Sequence, residues 1–328
     1  MTTGKKAEIL RNRRQFITTA GVATIAPVAM AAVPTDPARP RMSNDALRAL
    51  FKDPIWNRET TARLEADIAP GKFVNGYVTG TVCGVRDGEA LRPLFGFEVF
   101  SALRVLKQAD GSYQRLCREV VFYRDLKTGE MMDTWLNPYT NEEVRVVDVA
   151  NDPFNYVISE HYPDPPSYGG LNTVMPPRRP FVRDWVLLRD DMVILQSDIH
   201  LYYRNALDPA VWPRESAGAM NRVSELFRYQ IRRDDIENPE VTHLPHTGVW
   251  NRVTPWLPWM LMGQAPGHIL YSGTFSTVSG LDAVPHPVAK RVLERYPHYQ
   301  LAPEKWVDPS LSSLEHYART QKPAPIKE

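Results

Sequence analysis

The residues best suited to proton chemistry are His200, Tyr202, Glu225, Arg228, Tyr229 and His243, spread over strand-like segments in the second half of the chain. Histidine titrates near neutral pH, arginine grips a carboxylate or phenolate through two parallel hydrogen bonds, and tyrosine can relay a proton. Such a set suffices for a retro-aldol cleavage or an elimination, and it calls for no cofactor. His200, Tyr202, Glu225, Arg228 and His243 are therefore the candidate catalytic residues, and His200→Ala or Arg228→Ala is expected to abolish turnover. Tyr229 joins a second group that could hold a flat ligand: Trp135, Trp250, Trp256 and Trp259, with Asp152 and Asn155 as hydrogen-bonding partners at the rim. Indoles are more often core than site, and Asn and Asp before a proline are turn formers in their own right. An aromatic wall and a turn are therefore the competing readings of the same residues.

Other chemistries find little support. His243-Leu244-Pro245-His246 has an H-x-x-H spacing, but Pro245 prevents a regular helix and no H-E-x-x-H occurs, so no metal is assigned. No G-x-S-x-G is present for a hydrolase triad, and no phosphate-binding glycine loop. Gly76, Gly80 and Gly84 are spaced by four among Val74, Tyr77, Val78, Thr81 and Val82, which places them on one face of a strand and marks bends or a bulge. Glu98 and Glu119 could face each other across a hairpin, with Arg104, Arg115 and Arg118 near enough in sequence to neutralise them.

These groups need a frame, and the hydrophobic alternation supplies one. Tyr113, Arg115, Cys117, Glu119, Val121 and Tyr123 share a face of one strand. Leu94–Gln108 turns into that strand through Ala109-Asp110-Gly111, and Asp125–Glu130 turns out of it. Further strands are expected at 72–85, 131–136, 144–149, 181–189, 192–204, 222–233 and 268–279. Helices are expected after Ser43, ending at Pro54; from Thr254, as N-cap, to Gly263; and over 287–296 and 310–320. Eight to ten long strands would leave exposed edges unless the sheet closed. The expected fold is mainly β, an antiparallel closed or near-closed β-barrel with a few peripheral helices, large enough for one small ligand.

The N-terminus reads differently. Lys5, Lys6 and Arg11 precede Arg13-Arg14-Gln15-Phe16, an apolar run to Ala32 and an Ala29-Met30-Ala31 cleavage site, the pattern of a twin-arginine signal peptide. The run is shorter than the roughly 20 apolar residues of a membrane span, so no stable anchor is expected. The organisation expected is a signal peptide over 1–31, a Pro-rich linker over 32–42 and a single domain over 43–328, folded before export and working in the periplasm. The whole chain carries +1 at neutral pH, and removing the basic leader leaves it near −3, which disfavours nucleic acid as a partner. The expected partners are the twin-arginine translocase and a small aromatic molecule, with homo-oligomerisation left open. Cys83 and Cys117 could pair if their Cα atoms lie within about 7 Å, or serve as small buried apolar residues.

The most particular text in the chain is Trp135-Leu136-Asn137-Pro138-Tyr139-Thr140, followed by Asn151-Asp152-Pro153-Phe154-Asn155. It resembles the family catalogued as domain of unknown function 1838, whose members pair a W-x-N-P-x-T segment with a later N-D-P-x-N. The resemblance extends to Lys127-Thr128-Gly129-Glu130 and to Thr254-Pro255-Trp256-Leu257-Pro258-Trp259-Met260, and so covers most of the mature chain. It implies a twin-arginine-exported, β-rich fold similar to a calycin barrel, and an association with cofactor-free lyases acting on plant-derived phenolic dimers. The functional expectation is a periplasmic lyase or isomerase working by acid and base groups on an aromatic compound. The alternative is a carrier or sensor of an apolar ligand.

Overall fold

The computed structural model describes residues 41–152, 154–173, 175–308 and 310–326. The expected signal peptide lies outside the described residues. Among the described residues two helices come first. Ser43 caps α1 (Asn44–Leu50) by accepting from the Ala46 N–H at 3.2 Å, and Asp53 caps α2 (Pro54–Glu65) by accepting from Ile55 and Trp56 at 2.8 and 3.4 Å. Pro54, expected to end a helix, instead opens one, because its missing N–H costs nothing in a first turn.

Ten strands form one antiparallel sheet: β1 (Val74–Val85), β2 (Arg92–Lys107), β3 (Tyr113–Arg124), β6 (Val149–Asn151), β7 (Tyr156–Ile158), β8 (Asp184–Arg189), β9 (Met192–Arg204), β10 (Met220–Arg232), β11 (His246–Thr254) and β12 (His268–Val278). Their order is β6-β3-β2-β1-β12-β11-β10-β9-β8, with β7 also on β3. Two meanders are thus joined where β1 pairs with β12 over Asn75–Val85. β4 (Thr134–Asn137) and β5 (Glu142–Arg145) make a separate hairpin, and a short α3 (Arg233–Glu237) follows β10.

Among the described residues the sheet is not closed, so of the expected closed or near-closed barrel the closed form is not seen. β6 and β7 hold three residues each, and β8 pairs with β9 only as far as Gln196, so these short edges form no ladder with one another. It is nevertheless strongly curled. The Tyr123 and Tyr271 hydroxyls meet at 3.1 Å, although β3 and β12 are separated by two strands and would stand about 14 Å apart in a flat sheet. Tight inner packing over the middle strands promotes that curl. Gly80 and Gly273 sit directly opposite each other under the Phe97 ring, and a Cβ on Gly80 would lie 2.2 Å from the Ser272 carbonyl oxygen. Between β1 and β2 the register slips at Val82 and Cys83, in keeping with the bulge expected among these glycines.

The concave face holds Val82, Phe95, Phe97, Tyr123, Trp250 and Tyr271 in one apolar cluster. The convex face of β2 and β3 is covered by α4 (His286–Arg295), whose Val288 and Val292 pack on Phe100, Val120 and Phe122. Glu98 and Glu119 end up on opposite faces, because Glu98 pairs with Phe122 and Glu119 with Ser101. Glu98 is held on the convex side by Arg124, Tyr77 and Thr79. Cys83 and Cys117 are buried and free.

Thr254 ends β11, and the helix expected from there to Gly263 is a single 3-10 turn, Pro258–Met260. Pro258 has no N–H to return to Thr254, and Leu261 turns left-handed at φ 54°, so the helix cannot propagate. The β4–β5 hairpin is pinned to this turn by Asn137, which donates to the Met260 carbonyl oxygen at 2.8 Å and accepts from the Tyr139 N–H at 2.9 Å. A last helix, α5 (Ser313–Thr320), opens on a capping box in which Ser312 and Glu315 satisfy each other's backbone.

Candidate functional site

Where β11 ends and α5 passes over the edge of the curled sheet, the chain encloses a cavity of about 240 Å³. Seven buried side-chain nitrogen or oxygen atoms among the described residues have no hydrogen-bond partner, and four of them belong to residues lining this one cavity: Arg252 Nε, Glu215 Oε2, Trp259 Nε1 and His316 Nε2. A buried polar atom without a partner costs about 1 to 3 kcal/mol, so such a concentration marks a place that a ligand can stabilise.

Each of the four is held by a different element. Arg252 comes from β11, with Nη1 3.5 Å from Glu225 Oε1 across the β10–β11 pair, and Glu225 Oε2 accepts from Trp250 Nε1 at 2.9 Å. Burial works against the guanidinium charge, but Glu225, with Tyr271, Tyr203 and Tyr123 close by, outweighs it and holds Arg252 above its ordinary range. Trp259 comes from the 3-10 turn, beside Trp256, whose own N–H is spent on the Ala265 carbonyl oxygen at 3.0 Å. Glu215 is 3% exposed and uses Oε1 to accept from the Ala324 N–H, while its Oε2 is buried without a partner. His316 comes from α5; burial, helped by Arg319, pushes its imidazole below 6.5, so it stands neutral at pH 7. The C-terminal segment carrying it is tied down by Arg145 donating to Gln321 and by Arg214 donating to the Pro325 carbonyl oxygen at 3.0 Å.

A family model described as Protein of unknown function (DUF1838) matches residues 76–321, three quarters of the chain. The chain belongs to the DUF1838 family. No curated protein matches it. In this DUF1838 chain all four cavity residues fall inside the matched segment, as do the hairpin and turn that Asn137 joins.

The residues singled out in the sequence of this DUF1838 protein separate into groups. Trp256 and Trp259 line the cavity, and Glu225 and Trp250 stand directly behind Arg252. Tyr229 shares the concave face of β10 with Glu225, two turns of the pleat away. Trp135 packs edge-on against Phe95 and Trp259, one layer behind the cavity wall. His200, Tyr202 and Arg228 are not brought to the cavity: they stand exposed on the convex face, His200 against Ser224 at 3.0 Å and Asp198 at 3.1 Å. His243 lies at the opposite end of β11, beside His246. Asp152 pairs with Arg118 at 3.1 Å and His298 at 3.5 Å, and Asn155 donates to the Val307 carbonyl oxygen, so both face the segment after α4 instead of the rim.

Sequence reading missed Arg252, Glu215 and His316. Arg252 carried a signal, since it alternates with Trp250 and Thr254 along one face of a strand whose period was masked by the prolines that follow. Glu215 sits in a loop and His316 on a short terminal helix, and neither position has a periodicity that points anywhere in particular.

Proposed function

We propose that this DUF1838 protein is a small-molecule enzyme, a cofactor-independent lyase that works by acid and base groups on an aromatic acid or phenol in the Arg252 cavity. The observation that carries this reading is that four residues lining one cavity, beside Trp256, each hold a buried polar atom without a partner. A benzene ring fits a cavity of about 150 Å³, so about 240 Å³ suits one ring with a few substituent atoms.

The chemistry follows from the donor set. Arg252 and Trp259 offer N–H groups to an oxyanion, whether a carboxylate, a phenolate or an enolate formed during reaction. Neutral His316 can take a proton, and Glu215 can accept from a substrate hydroxyl. In a retro-aldol step the base removes the hydroxyl proton and the O–H electrons become the second bond of a carbonyl. The adjacent C–C bond breaks, its pair is held as an oxyanion at Arg252, and the proton returns from the imidazolium to carbon. The finer reading of the fold belongs to the same proposal: a near-closed, calycin-like barrel wrapped around its ligand, exported through the twin-arginine translocase to the periplasm.

The test is incubation of the mature protein with a panel of hydroxylated aromatic acids, scored by mass change, alongside Arg252→Met and His316→Gln. Conversion that is lost in both variants is expected. His200→Ala and Arg228→Ala, on the convex face, are expected to keep it. Binding of the same compounds with no mass change in any sample would make the cavity a carrier site and end the lyase reading.

A further inference from the structure

The charges that line the Arg252 cavity do not balance. Among the described residues its charged side chains are Asp148, Glu215 and Arg252. Two of them are matched: Arg252 has Glu225 at 3.5 Å, and Asp148 has Arg295 at 3.2 Å and Arg291 at 3.8 Å. Glu215 is not. Among the described residues no cationic group pairs with it; its neighbour Arg214 donates to Glu142 and to the Pro325 carbonyl oxygen, and Arg145 donates to Gln321. The Glu215 carboxylate, 3% exposed, therefore has one hydrogen bond, from the Ala324 N–H, and its second oxygen has none.

A buried carboxylate without a counter-ion is costly, and in a poorly solvated site its field acts on a guest several ångströms away without direct contact. The uncompensated charge in this lining is negative, so the cavity favours a guest with a positive group. The side chains near Glu215 suit the same group. Tyr317 lines the cavity, and the Glu215 charge adds to burial in raising its hydroxyl, which places the two close together. With Trp256 and Trp259 it makes a lining rich in rings, whose faces attract organic cations. His316, next to Tyr317 on α5 and neutral, brings an acceptor nitrogen instead of a competing cation.

We propose that the guest of this cavity is a phenol that also carries an amine, its hydroxyl on the Arg252 side and its ammonium on the Glu215 and Tyr317 side. This rests on the reading of the Arg252 cavity as the small-molecule site, and it narrows the substrate class from an aromatic acid or phenol to a phenolic amine. The charge count favours it. Arg252 with Glu225 is neutral, and one ammonium cancels Glu215, whereas a carboxylate guest would add a second unmatched negative charge to the lining.

The experiment uses tyramine, tyrosol and 4-hydroxyphenylacetate, which share a phenol ring and end in an ammonium, a hydroxyl and a carboxylate. Each is titrated calorimetrically at neutral pH into the mature protein and into Glu215→Gln. Tyramine is expected to bind the parent about tenfold more tightly than tyrosol, the difference a charged hydrogen bond makes, with 4-hydroxyphenylacetate weakest. In Glu215→Gln the advantage of tyramine is expected to vanish, and 4-hydroxyphenylacetate to bind more tightly than it does to the parent. The ranking on the parent protein needs no variant, so it is decisive even where Glu215→Gln does not fold. Tyrosol binding as tightly as tyramine, 4-hydroxyphenylacetate binding most tightly, or a tyramine advantage that survives in Glu215→Gln would overturn the amine assignment and leave the cavity as a phenol site. No binding by any of the three would remove the cavity as a site, and the lyase reading with it. Selective tyramine binding alongside an absence of mass change across the hydroxylated acids would support the amine assignment while ending the lyase reading alone.

Discussion

Arg252 illustrates why a single residue in this protein cannot be read apart from its partner. Its guanidinium and Glu225 are both partly accessible, so each charge is only partly desolvated, and removing one leaves the other poorly compensated. Arg252→Met is expected to lower stability by about 2 to 3 kcal/mol, and adding Glu225→Gln to that variant is expected to restore part of the loss. Urea unfolding of the four proteins of this cycle measures it, and strict additivity would mean that the pair does not interact. His243 makes a different point at the same scale. Burial, with His246 beside it, lowers its imidazole from 6.5 to about 4. Between those values the unfolded chain binds a proton that the folded chain refuses, so the stability is whole above pH 6.5 and is lost as pH falls towards 4. The two-and-a-half-unit gap corresponds to about 3 kcal/mol. His243→Leu is therefore expected to lose less stability than the parent between pH 7 and pH 4.5 in urea titrations. Equal acid sensitivity in the two proteins would show that His243 is not the group responsible.

At the scale of elements, α5 matters more than its eight residues suggest, because it brings His316 to the cavity. Its N-terminus depends on Ser312, which accepts from the Glu315 N–H at 3.2 Å while the Glu315 carboxylate accepts from the Ser312 N–H at 2.8 Å. Ser312→Ala is expected to cost about 1 kcal/mol, and the cost is local: amide exchange should quicken over 313–320 while the β1–β2 ladder keeps its protection. Exchange that quickens equally in the ladder would mean that α5 unfolds only with the whole domain. The strands explain which part of the site the sequence revealed. Alternation along β10 placed Glu225 and Tyr229 on one face, and alternation along β9 placed His200 and Tyr202 on another, but period two says nothing about which face is concave. Pairing decides that: Glu225 sits opposite Arg252, and His200 opposite Ser224.

At the scale of the whole molecule, the twin-arginine reading makes a prediction about export. Replacing Arg13 and Arg14 by lysine is expected to leave the protein in the cytoplasm with its leader attached, as fractionation and mass measurement would show. Periplasmic recovery of that variant would remove the export assignment. The curl itself was beyond reach of any local pattern. It rests on Tyr123 meeting Tyr271 and on glycines at 80 and 273 letting two backbones and the Phe97 ring crowd together, contacts between residues more than a hundred positions apart. Most strands other than β11, the turn positions, the bulge near Gly84, the Ser43 cap and family membership were legible in the sequence alone, because each is a matter of neighbours within a few residues or of a motif met in order; β11 and the fate of Thr254 and Pro54 were not. Which carboxylate faces which arginine, that β6 and β8 do not meet, and that a loop glutamate, a terminal histidine and a β11 arginine share one cavity were decided only by the tertiary structure. Side-chain direction on a strand is local, but the side that becomes an interior depends on how distant strands pair and bend.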